Sequence, residues 1–289
     1  MTMSKKNSDI FLASVLILSF ILCYYPTFLW LHYKYSLEES YFSHGYLIPF
    51  VSAYLIYAMR NELARIPRSS SPAGLAVIVL ALVIHILGVL GDINFVSGFS
   101  MVLYLTGCSL YLLGGQFTKK IAFPLFFLVF MCPVPDGIID SVALPLKALA
   151  TTLSLYIIDL VNIPYVREGF VIHLPSSTYV VGAPCNGVRS LIAFFAVGFL
   201  FLYFIRSTWW KKGILLLLIP PISILLNGMR IAILLFIANQ YGQQAASPES
   251  YLHDGSGLLV FIIGIGALVL FVRKINELKF RTPIGGFWG

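Results

Sequence analysis

Residues Ile138–Val161 read IIDSVALPLKALATTLSLYIIDLV, an apolar run long enough to cross a bilayer but interrupted by Asp140, Pro145 and Lys147. Whether this run spans decides how the rest of the chain is arranged. The chain around it has 289 residues, 59% hydrophobic and 11% charged, with a mean hydropathy of +0.90. Soluble domains carry about 25% charged residues. The composition is that of an integral membrane protein, and no polar stretch is long enough for a second domain.

Before this run, five apolar segments approach the roughly 20 residues a helix needs to cross hydrocarbon, the fifth being short. Lys5 and Lys6 precede the first, about Ile10–Leu31. It is too long for a signal-peptide core and no small-x-small cleavage site follows, so it is predicted to be an uncleaved span. The second covers about His44–Met59, the third Ala73–Leu90 and the fourth Phe95–Leu113. The fifth follows Lys119 and Lys120 and ends at Cys132 before Pro133-Val134-Pro135. After Val161, Glu168–Pro175 and Thr178–Val181 flank Ser176-Ser177. Their β-branched and aromatic residues predict a small β-hairpin. The sixth span starts near Asn186. The seventh is about Gly213–Ala238, with Pro220-Pro221 inside it, and the eighth about Gly255–Val272.

Lysine and arginine mark the cytoplasmic side of membrane proteins. With Lys5 and Lys6 inside, the clusters Arg60–Arg68 and Lys119–Lys120 also fall inside. If Ile138–Val161 spans, then Lys211, Lys212, Arg273, Lys274, Lys279 and Arg281 fall outside. If it does not, every basic cluster is cytoplasmic. The expectation is therefore an all-α polytopic protein of about eight transmembrane helices. Both termini are cytoplasmic, Ile138–Val161 is interfacial or re-entrant, and the β-hairpin is extracytoplasmic.

The net charge of +7 resides in these loop clusters. No basic stripe with interleaved aromatics and no phosphate-binding glycine loop occurs, so no nucleic-acid partner is expected. Cys23, Cys108, Cys132 and Cys185 lack metal-ligand or disulfide-framework spacing, so neither metal nor cofactor is expected.

In this topology Cys185 lies outside, at the head of the sixth span. His253 heads the eighth span on the same side. Arg230 lies in the outer half of the seventh, and an arginine inside a span is functional by default. A helix N-terminus, a guanidinium and a histidine all favour the thiolate that attacks a carbonyl carbon. The histidine can then protonate a leaving amine. The arginine can stabilise the oxyanion, with the Asn186 and Gly187 N–H groups adding donors. Asn227 lies one turn before Arg230. Arg230 has structural alternatives, a pair with Asp254 or Glu168. His44 opens the second span from outside and is a second candidate for lining the site. Cys132 is a rival outer cysteine, read as packing. His32, His85 and His173 are read as surface or packing residues.

At these residues the chain resembles the exosortase/archaeosortase family of membrane cysteine transpeptidases. Three motifs carry the resemblance. One is Cys185, Gly187, Val188 and Ser190. The second is Asn227 and Arg230 after Pro221. The third is His253, Gly257 and Phe261. His44-Gly45, Pro133-Val134-Pro135 and Glu168-Gly169 are also similar. The likeness covers about Tyr41–Val272, within a single integral membrane domain of residues 1–289. It implies Cys185 as nucleophile, with Arg230 and His253 as partners. It also implies substrates that are exported proteins with a C-terminal signal of PEP-CTERM type: a short motif, a transmembrane helix and a basic tail. The signal would enter sideways through the membrane lipids and be cut at the outer face of the cytoplasmic (inner) membrane. The acyl group would then pass to an unidentified acceptor. Bacterial members of the family are often linked to exopolysaccharide and protein export.

Two other classes remain open from the residues alone. A transporter of an anionic solute would use Arg230 in a broken seventh span. A polysaccharide polymerase or ligase would use Arg230 and His253 on a lipid-linked sugar, and needs no cysteine.

Overall fold

A computed structural model describes residues 5–37, 40–182, 187–205 and 208–275. Cys185 and Asn186, with Ala183 and Pro184, lie outside the described residues, as do Arg206, Lys279 and Arg281. The described chain forms two compact units, within Met1–Val134 and Pro135–Arg281.

In the first unit, α1 (Lys5–Cys23) and α2 (Tyr25–Ser36) meet at a 55° bend. Pro26 falls in the first turn of α2, where its missing N–H costs nothing. The 3-10 turn Ser43–Tyr46 leads into α3 (Leu47–Ala58) and the single turn α4 (Arg60–Leu63). The helices α5 (Pro72–Leu90) and α6 (Asn94–Leu113) form a hairpin, followed by α7 (Gly115–Lys120) and α8 (Ala122–Phe127), which a 3-10 turn extends to Met131.

Buried hydroxyls clasp the bend. Thr27 Oγ1 is 2.5 Å from Ser97 Oγ, Ser97 Oγ is 2.8 Å from His85 Nδ1, and Tyr24 Oη is 3.1 Å from Ser100 Oγ. His85 is thus a buried packing residue held within this network. Tyr35 donates to the Met131 carbonyl, and Ser52 donates to that of Pro124 at 2.8 Å, which ties α2 and α3 to the α8 segment.

The second unit opens with α9 (Asp136–Leu160), one continuous 25-residue helix. Pro145 removes a single ladder bond and the helix runs on across it. The re-entrant form expected as one option needs a reversal of the chain, and α9 has none. Asp140 is exposed, and Lys147 places Nζ 4.2 Å from the Phe170 ring centroid.

Next come β1 (Val166–Glu168), β2 (Val171–His173) and β3 (Thr178–Val180), an antiparallel sheet in the order β1-β2-β3. This is one strand more than the expected hairpin, because Gly169 (φ 64°) turns Val166–Glu168 back onto β2. The sheet buries Ile172, Leu174, Tyr179 and Val181 in a core shared with the second halves of α9 and of α11 (Trp209–Tyr241). Ser176 donates to the Asn239 carbonyl and Ser177 to that of Ala238 at 2.9 Å, so the sheet sits at the C-terminal end of α11.

Before α11 stands α10 (Val188–Phe204), and after it α12 (Tyr251–Ile275). Gly187 adjoins Asn227 while Gly198 adjoins Ile219, so α10 runs antiparallel to α11. His253 adjoins Arg230 and Gly264 adjoins Leu226, so α12 does too. Phe194, Ile219, Leu226, Val260 and Leu268 fill the core between the three helices. The interruption expected at Pro220-Pro221 does not occur, since both prolines lie inside the unbroken 33-residue α11.

Among the described residues, five helices are long and apolar enough to cross a membrane, or six if the bent pair counts as one span. α9 is among the five. The expected count of eight also took in Leu47–Ala58, Ala122–Met131 and Val188–Phe204, whose helical parts are 10 to 17 residues long.

Candidate active site

Two helix starts and the middle of a third helix converge in the second unit. Gly187 is the N-cap of α10, with φ 78° and ψ −4°. This left-handed conformation costs an L-residue roughly 1–2 kcal/mol. The Gly187 carbonyl accepts the Leu191 N–H at 3.0 Å and the Ser190 hydroxyl at 3.0 Å. Ser190 thus stabilises the turn that begins α10. A Cβ on Gly187 would lie 3.0 Å from Asn227 Nδ2. Glycine therefore serves both the backbone conformation and the close approach of α11. Asn227 is 3% exposed and lies against this turn.

One turn further along α11 is Arg230, half-buried. Its Nη2 lies 3.4 Å from both Nδ1 and Nε2 of His253 and 3.5 Å from the His253 carbonyl. His253 is 4% exposed, in the first turn of α12. Ser250 builds that turn as its N-cap. Its Oγ accepts the Leu252 N–H at 3.1 Å and its carbonyl accepts the His253 N–H at 3.0 Å. The structure thus brings Gly187, Ser190, Asn227, Arg230 and His253 to one end of the second unit.

The carboxylates weighed as partners for Arg230 stand elsewhere. Asp254 has an 82% exposed side chain and reaches His253 Nδ1 only at 3.9 Å. Glu168 pairs with His173 at 3.5 Å. His44 belongs to the first unit, in the 3-10 turn before α3 and beside Phe42. Cys132 is 3% exposed, with Sγ 3.3 Å from where a Cβ on Gly98 would be. Buried this deeply, its thiol is closed to an incoming substrate carbonyl. Sequence reasoning passed over Ser250 and Ser256. Their only trace is a pair of serines bracketing His253 at i−3 and i+3.

The helices and composition define a multi-pass membrane protein. The profile of the transmembrane exosortases matches residues 30–270, and the chain belongs to that family. No curated protein and no solved structure matches the chain. The family is one of membrane transpeptidases acting on the sorting signals of exported proteins.

Proposed function

We propose that this protein is a membrane-embedded cysteine transpeptidase that cuts C-terminal sorting signals at the outer face of the cytoplasmic membrane. The observation that carries this reading is the Arg230–His253 pair, set in one unit with the helix start that follows Cys185-Asn186 in the sequence. In the first step the Cys185 thiolate attacks the scissile carbonyl, and Arg230 stabilises the oxyanion. The C–N bond then breaks, His253 gives its proton to the leaving amine, and a thioester remains. In the second step an acceptor amine or water attacks the thioester and gives its proton to His253, the C–S bond breaks, and the thiolate and the protonated His253 are restored. Asn227, Gly187 and Ser190 support the start of α10, and the Asn186 and Gly187 N–H groups are further candidate donors to the oxyanion.

The outward sidedness rests on a local comparison within the second unit. Lys211, Lys212, Arg273 and Lys274 stand at one end of α11 and α12, and Arg230 and His253 lie toward the other. The positive-inside bias favours the basic end as the cytoplasmic one, the arrangement in which α9 does not cross. Eight spans, with α9 along the outer interface, remain the arrangement that puts every basic cluster inside.

The unbroken α11 removes the feature that favoured a transporter. The test is Cys185→Ala, co-expressed with an exported protein carrying a motif, a transmembrane helix and a basic tail. Unprocessed substrate is expected with the variant inserted normally. Normal processing would refute Cys185 as the nucleophile.

A further inference from the structure

The first turns of α12 carry another side chain against Arg230. Ser256 is 6% exposed. Its Oγ is 3.5 Å from Arg230 Nε and 2.7 Å from the His253 carbonyl oxygen. A guanidinium has only donors, whereas a hydroxyl has one proton and two lone pairs. The directions are therefore determined: Arg230 Nε–H donates to Ser256, and Ser256 donates to the His253 carbonyl.

The second of these bonds is ordinary. Ser100, Ser141, Ser154 and Ser190 also donate to the carbonyl three residues back. Ser256 differs in receiving a charged side chain from another helix. Gly257 completes the seat. A Cβ there would stand 3.2 Å from Arg230 Nη2 and 3.3 Å from Cζ. The guanidinium is thus bounded by Ser256 at Nε, Gly257 at Cζ and His253 at Nη2. An anchored Nε sets the plane of the fork, and the plane sets where Nη2 meets the imidazole.

We propose that Ser256 is a positioning residue, holding Arg230 at Nε so that Nη2 stays beside His253. It acts through Arg230 and His253 and touches no substrate. The proposal rests on the transpeptidase reading only for its consequence in turnover, and its geometry is measurable without activity.

The experiment uses the full-length protein in lipid nanodiscs, with ¹³C-labelled histidine followed by NMR and His253 assigned by its loss in His253→Gln. Ser256→Thr and Ser256→Val share a branched shape and differ in the hydroxyl, and Ser256→Ala serves if Val overpacks the turn. In Ser256→Val the His253 titration midpoint is expected to move by about 0.5 unit or more. Substrate processing should slow about 10-fold, since small misplacements of catalytic groups are costly. Ser256→Thr should restore both. An unchanged His253 titration in a folded Val or Ala variant overturns the proposal, and so does a Thr variant as impaired as Val. If Cys185→Ala processes normally while the Ser256 variants still shift His253, the transpeptidase reading fails and the positioning role stands.

Discussion

Arg230 Nη2 stands 3.4 Å from both ring nitrogens of His253, joining the middle of α11 to the first turn of α12. The guanidinium reaches Ser256 through Nε at the same time. A lysine ammonium is a single point charge and cannot make both contacts. Arg230→Lys should therefore insert and fold but lose about 100-fold or more in processing rate, the scale of a lost oxyanion donor. Pulse-chase conversion of a co-expressed substrate measures this, and near-normal turnover would show that only the charge matters.

Gly257 tests the same seat from below. Its missing Cβ leaves 3.2 Å to Arg230 Nη2, closer than side chains ordinarily pack. Gly257→Ala should push the guanidinium by a few tenths of an ångström. The expected result is a loss of about 10-fold in processing, with thermal stability close to wild type. Equal falls in stability and turnover would point to a packing role instead.

Gly187 carries backbone and packing demands together. Its φ of 78° and the Asn227 side chain 3.0 Å from a Cβ both exclude larger residues. Gly187→Ala should destabilise the start of α10 by about 1–2 kcal/mol. Substrate processing should fall with it, because this turn carries the residue just after Cys185-Asn186. A variant with unchanged stability and turnover would contradict the observed cap.

Cys132 and Cys185 should separate cleanly by chemistry. Alkylation needs a thiol that the reagent can reach, and Cys132 is almost wholly buried. Cys132 should resist iodoacetamide at pH 8 in the folded protein, and Cys132→Ala should process substrate normally. Loss of processing in that variant would transfer the nucleophile role to it.

The sidedness is checked by single cysteines. With Ser176→Cys an impermeant maleimide should label intact cells, because Ser176 sits by Asn239 at the far end of α11. With Lys212→Cys it should label only after permeabilisation. The reverse pattern would place the site in the cytoplasm.

Ser97 joins Thr27 and His85 within the first unit. Ser97→Ala would leave two buried polar groups without this partner, at about 1–3 kcal/mol. The melting temperature in detergent should fall by several degrees, with the Arg230–His253 site unaffected. An unchanged melting temperature would mean that the network adds nothing net to stability.

Composition and charge alone determined that this chain lives in a membrane, because an 11% charged chain of this length cannot be a water-soluble protein. Charge inside an apolar run is costly and singled out Arg230, and the lysine and arginine pattern placed His253 on the same side of the membrane. Residue spacing says nothing about which helices touch. Their convergence, the seating of Arg230 by Ser256 and Gly257, and the pressing of Asn227 onto Gly187 come from antiparallel packing of three helices distant in sequence. The continuity of α9 and α11 was likewise illegible, because a proline removes one hydrogen bond while the packing around it decides whether the helix stops. The carboxylate question was also settled in space: Asp254 follows His253 directly, so the helix turns it out to solvent while the imidazole faces Arg230.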